Sequence, residues 1–192
     1  MGTPASISDR VLPQTLASLI NGGFPRPHLF LDGETDPAKF LKDLAARDNR
    51  FQGLTATSRY PSVRVAGAWT LAMHELFLRD PTADRYAIFQ DDLIMSKNVR
   101  RYLELCVYPP AGGYWNLYTF PSQQRIAPKD AQGQEINGWY EATQNGKGAV
   151  ALVFDRRAIL QLLSSRVFAE RPLDCGRGWR AIDGGIVCAL SG

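Results

Sequence analysis

Histidine is almost missing from this chain: His28 and His74 are the only two in 192 residues. A Ser-His-Asp hydrolase has little to build on, and neither histidine stands at a spacing that zinc would use. Both read as structural residues. Cysteine is scarce as well. Cys106, Cys175 and Cys188 are odd in number, form no C-x-x-C pair and all lie in the second half, which argues against a disulfide framework and for a reducing compartment. No apolar run approaches the roughly 18 residues of a bilayer span. The start, Met1 to Ser6, lacks the basic-then-apolar order of a secretory signal. A cytoplasmic protein with no stable membrane insertion is the expectation. Long runs of one charge are absent too. The 22 Lys+Arg against 19 Asp+Glu leave a net charge of +3, which admits an anionic ligand without calling for nucleic acid.

What is present suits a globular fold. With 45% hydrophobic residues, the chain can fill the core of a single domain spanning residues 1–192. Leu12, Leu16, Leu19 and Ile20 share a helical face, and Gly22-Gly23 offers the left-handed stop that helices favour. His28 to Leu31 reads as a strand delivering Asp32-Gly33 to a loop. Asp36-Pro37 opens a helix with an apolar stripe of Phe40, Leu41 and Leu44. A longer helix carries Val65, Trp69, Ala72, Met73 and Leu76 up to Arg79-Asp80-Pro81. Strands are expected over Tyr86 to Asp92, Tyr114 to Phe120 and Ala149 to Phe154, with helices after the first and third. Strands alternating with helices predict a mostly parallel sheet flanked on both sides.

The stretch Tyr86-Ala87-Ile88-Phe89-Gln90-Asp91-Asp92 carries the most chemistry. An apolar strand runs directly into two neighbouring carboxylates. In open α/β sheets, ligands lie beyond the carboxyl ends of the strands, so acids placed there face a site. Two like charges so close repel, and a divalent cation relieves that. The plainer alternative is a strand-to-helix turn in which one Asp caps the helix that follows.

The order of Leu12-Pro13-Gln14-Thr15-Leu16 through Gly23-Phe24, the strand ending in Asp32-Gly33, Phe89-Gln90-Asp91-Asp92, the run Gly148 to Phe154, and Asp183 resembles nucleotide-sugar glycosyltransferases of the GT-A type. The resemblance implies a GT-A, Rossmann-like α/β fold. It also implies metal-dependent sugar transfer from a nucleoside diphosphate sugar, a UDP-sugar foremost, to a hydroxyl acceptor. The family's D-x-D element matches Gln90-Asp91-Asp92, with Asp91 and Asp92 as ligands of Mn²⁺ or Mg²⁺ and with Gln90 and Asp91 as donor contacts. Asp32 matches the acid that touches the nucleoside, and Asp183 the general base. Thr3 and Pro4 correspond to the loop at the nucleobase. In the family a strand precedes the first helix and a late His completes the metal site. Here only Met1 to Arg10 precede Val11 and no late His exists, so the chain reads as a minimal version or one trimmed at both ends.

Arg64, just ahead of the long helix, is a candidate contact for the donor diphosphate, the plainer reading being a solvated arginine. Trp139, Tyr140 and Glu141 are candidate acceptor contacts, because aromatic faces stack on sugars or bases; packing uses the same residues. The acceptor is a glycan, a protein, a small molecule or a hydroxymethylated DNA base. Two alternatives keep the acids in use: a nucleotide-sugar binding module without catalysis, and an α/β metal-dependent nucleotidyltransferase.

Overall fold

The computed structural model describes residues 11–109, 113–118, 128–134, 138–140, 149–169, 186, 189 and 190. The first helix, α1 (Leu12–Asn21), carries its proline in the opening turn, where no amide hydrogen bond is lost. It stops at Gly22-Gly23. Gly22 keeps a helical backbone, and Gly23, at φ +100°, reverses the chain. The amides of Gly23 and Phe24 then return to the carbonyls of Ile20 and Leu19, at 3.1 and 2.9 Å. Strand β1 (His28–Asp32) follows, then α2 (Pro37–Arg47), whose first turn is closed by the Asp36 carboxylate accepting from the Lys39 amide at 2.9 Å.

Strand β2 (Thr55–Arg59) leads to the long helix α3 (Arg64–Arg79) and strand β3 (Arg85–Phe89). Helix α4 (Val99–Leu105), strands β4 (Trp115–Asn116) and β5 (Ala151–Asp155), and helices α5 (Arg156–Ser164) and α6 (Arg166–Ala169) follow among the described residues. Asp155 ends β5 and caps α5, accepting from the Ala158 amide at 2.6 Å.

The fold is α/β, but the described strands form two sheets. β1 and β2 pair in parallel from His28 opposite Thr55 to Asp32 opposite Arg59. The other sheet, in the order β3-β5-β4, is antiparallel throughout. The expected mostly parallel sheet is therefore met only in the β1–β2 pair. An unbroken apolar run such as Ala149 to Phe154 signals a strand covered on both faces and carries no information on direction. β5 is indeed covered on both. Leu152 and Phe154 join Trp69 and Met73 of α3 and Ile159 and Leu162 of α5, while Val153 faces Leu103 of α4 and Trp115. This alternation sets α3 and α5 on one side of the sheet and α4 on the other.

The same helix α3 ties the two sheets together. It touches both β1 and β3, and Phe30 of β1 packs against the core that α3 shares with β3 and β5. On the opposite face of β1, Leu29 joins Leu12 and Leu16 of α1 and Leu44 of α2. A polar knot fastens the C-terminal end of α3 to the start of β1. Glu75 pairs with Arg59 at 3.0 Å and Arg79 at 2.7 Å and accepts from the Thr57 hydroxyl. His28 joins the same knot: its Nε2 lies 3.1 Å from the Arg79 guanidinium and 2.9 Å from Thr57 Oγ1, and its Nδ1 lies 2.6 Å from Thr55 Oγ1. Among the described residues, no helix is long and apolar enough to cross a membrane.

Candidate functional site

The direction of each strand follows from its link to α3. The carboxylate of Asp32, at the end of β1, lies at the start of α3, accepting from the amides of Val63 at 2.8 Å and Arg64 at 2.9 Å. The other end of α3 leads through a short link, residues 80–84, into β3. Both strands thus run antiparallel to α3 and parallel to each other, although they are not bonded together. Their C-terminal ends, with Asp32 on one and Gln90-Asp91-Asp92 on the other, open at the same end of the molecule.

Between β1 and β3 lies a cavity of about 640 Å³. Asp32, Gly33 and Glu34 line it at the end of β1, and Gln90 and Asp91 just past β3, together with apolar residues of α1 and α3. Its size is that of an ordinary small-molecule site. Asp92 does not line the cavity; it stands exposed beside it.

Asp91 is the most unusual group here. Its main-chain carbonyl accepts from the Thr15 hydroxyl at 2.7 Å, which fixes the turn after β3 against α1. Its side-chain Oδ2 is buried with no hydrogen-bond partner among the described residues. Burial pushes this carboxyl above the usual carboxylate range, and the neighbouring Asp92 charge adds to the effect. A buried oxygen left without a donor is costly unless something else meets it. Among the described residues no group of three or more His, Cys, Asp and Glu is arranged to hold a metal ion. A carboxylate pair suits Mg²⁺ or Mn²⁺ all the same, because such ions commonly take one or two carboxylates and complete their shell with water and substrate phosphate.

The other expected site residues divide between the cavity and its surroundings. Asp32 faces the cavity but already holds α3, taking a third hydrogen bond from Ser62 Oγ at 2.6 Å. Arg64 sits in the left-handed region at φ +61°, its amide held by Asp32 and its backbone forming the first residue of α3. Trp139 lies away from the cavity. Its ring stacks on Trp115 at 5.1 Å and on Tyr102 at 5.9 Å, and it remains 42% exposed. Tyr140 also lies outside the cavity lining. Thr3, Pro4, Glu141 and Asp183 lie outside the described residues.

Two cavity residues escape a reading of the sequence. Thr15 looks like an ordinary helix position, and Trp69 like core by its periodicity. Trp69 is indeed 1% exposed, yet its Nε1–H has no acceptor among the described residues and the residue forms part of the cavity wall. A tryptophan in a core normally finds a partner for that proton, which was the available signal. The chain matches no family model, no curated protein and no solved structure in the comparisons.

Proposed function

We propose that the protein is a metal-dependent glycosyltransferase with a GT-A-like arrangement, binding a nucleoside diphosphate sugar, a UDP-sugar foremost, at the acidic mouth of the cavity. The observation that carries the reading is Asp91: a half-buried carboxylate just past the end of a strand, its Oδ2 buried and unpartnered among the described residues, beside a second carboxylate and lining a cavity. Asp91 and the exposed Asp92 would hold Mn²⁺ or Mg²⁺. The bound ion supplies charge neutralisation for the diphosphate as it leaves. Gln90 is left to hydrogen-bond a donor hydroxyl, and Thr15 keeps the Asp91 turn from swinging away. Asp32 offers remaining lone pairs to the donor while it holds α3. Asp183 is the proposed base for the acceptor hydroxyl.

The test is donor hydrolysis or transfer with UDP-sugars and Mn²⁺, repeated with Asp92→Ala. Turnover should fall at least 100-fold in the variant, with its unfolding midpoint unchanged because Asp92 is exposed. Equal turnover in the two proteins removes the metal role. A second reading, a nucleotide-sugar binding module without catalysis, draws on the lack of a third metal ligand among the described residues. It predicts calorimetric binding of UDP with no turnover of any donor.

A further inference from the structure

Helix α4 buries Leu103 against Val153 and Trp115, and its opposite face is left to solvent. Residues four apart on a helix lie side by side, so Arg101 and Leu105 share that outer face. Leu105 is 76% exposed, and Val107, two residues further on, is 91% exposed. Tyr102 is exposed beside them, and its ring stacks on that of the half-exposed Trp139. Single apolar side chains on a surface are ordinary. Two aliphatic and two aromatic ones gathered around one short helix form a patch that water does not favour. None of the four lines the cavity between β1 and β3.

The charge around this patch is one-sided. Lys97, just ahead of α4, and Arg100 and Arg101 in its first turn are all exposed. Glu104 is the one acid in the helix, and Arg100 already pairs with it at 2.8 Å. Lys97 and Arg101 have no ion-pair partner among the described residues. The nature of the side chains narrows the partner. Leu105 and Val107 offer nothing to a nucleic-acid phosphate or to a sugar hydroxyl. A stable protein interface takes about 20–30 residues a side, far more than this group supplies. A bilayer surface asks for less. Aliphatic side chains enter the boundary between headgroups and acyl chains, Trp and Tyr settle at headgroup level, and Lys and Arg meet anionic lipids.

We infer that the outer face of α4 docks on a membrane surface rich in anionic phospholipid. Leu105 and Val107 enter the acyl boundary, Tyr102 and Trp139 lie at the level of the headgroups, and Lys97 and Arg101 meet the lipid anions. The contact is peripheral and reversible, because two aliphatic side chains bury too little apolar surface to hold the protein without the charge. It weakens as salt rises, since the attraction reaches only about 10 Å at 0.1 M ionic strength. The patch lies outside the cavity lining, so the inference does not depend on what binds there.

Sedimentation with sucrose-loaded vesicles tests this, using phosphatidylcholine alone and phosphatidylcholine with about 30 mol% phosphatidylserine at about 0.1 M salt. The native chain should pellet with the mixed vesicles and not with the neutral ones. Arg101→Gln should weaken binding about fivefold and Leu105→Ser roughly tenfold or more. Both positions are exposed, so unfolding midpoints should stay unchanged and a lost interaction is not mistaken for a lost fold. Brominated acyl chains should quench tryptophan fluorescence by an amount that Trp139→Phe removes. Failure of the native chain to pellet with the mixed vesicles overturns the inference. Equal binding to neutral vesicles also overturns it, as does binding that Leu105→Ser leaves unchanged. Self-association of the free protein that Leu105→Ser abolishes, with no vesicle binding, assigns the patch to a second copy of the chain and overturns it as well.

Discussion

Replacing Asp32 by alanine withdraws the acceptor of three hydrogen bonds at once, those from Ser62 Oγ and from the amides of Val63 and Arg64. The two amides belong to the first turn of α3, where no carbonyl within the helix can reach them. Val63, the residue at the cap position, has no side-chain acceptor of its own, so Asp32 acts as the cap from a distant strand. Loss of a capping side chain costs about 0.5–2 kcal/mol, and loss of a negative charge at a helix start about 0.3–1 kcal/mol. The Ser62 hydroxyl can turn to water and adds little. Arg64 leans the other way, because its left-handed backbone is a local strain of about 1 kcal/mol that relaxes when the grip is lost. The expected net loss is about 2 kcal/mol, or about 4–8 °C in melting temperature for a chain of this size. Asp32→Asn keeps one acceptor and loses the charge, and should cost about half as much. Urea unfolding of the three proteins with a shared slope reads these differences directly. An alanine variant within 0.5 kcal/mol of the parent refutes the capping argument.

Acidification should weaken the fold in two stages. Burial, with help from the Arg79 guanidinium, holds His28 below its ordinary value of 6.5. The unfolded chain therefore binds this proton more readily, and the stability His28 contributes is complete above about pH 6.5 and lost as pH falls through the lower folded value. Burial pushes Glu75 upward, but the Thr57 and Arg79 hydrogen bonds and the nearby guanidiniums outweigh it and hold the group below 4.5, so its contribution disappears later and with the same sign. Urea midpoints between pH 8 and 3 measure both stages; His28→Gln should erase the upper one, and a flat midpoint from pH 7 to 5 contradicts it. In α5, Ile159→Ala empties a fully buried site and should cost about 2–4 kcal/mol, while Leu160→Ala, at a position 44% exposed, should stay within about 0.5 kcal/mol. Equal losses for the pair would contradict the packing described for α5.

Local signals were readable where one residue governs its own neighbourhood. Asp36-Pro37 marks α2 because cap and first turn lie three residues apart, and Tyr86 to Phe89 marks β3 because the strand is apolar along its length. β2 was not legible. Thr55 to Arg59 has no apolar run, and its place in a sheet comes from pairing with β1 and from the Thr57–Glu75 contact. The direction of β5 was hidden for the same reason: a strand buried on both faces looks alike whichever way it runs. The sequence pointed to Asp32 as a site residue, but its hold on α3, some thirty residues later, depends on the folded chain. The paired acids at the end of β3 were visible. That one of them keeps a buried oxygen with no partner among the described residues, beside a cavity, was not.

The central position of β5 sets a timetable for biosynthesis. Its partner Arg85 emerges from the ribosome about seventy residues before Asp155, and β4 also waits for it. Until Ala151 to Asp155 have left the exit tunnel, β3 has no bonded neighbour among the described strands, and the core it shares with α3 still lacks β5 and α5. Closure across so long a loop is slow, and a nascent chain stalled before that point presents a sticky ribbon to chaperones and to other copies. Synonymous codon changes that slow translation just upstream of residue 151 should therefore lower the yield of folded protein more than the same changes placed after residue 165.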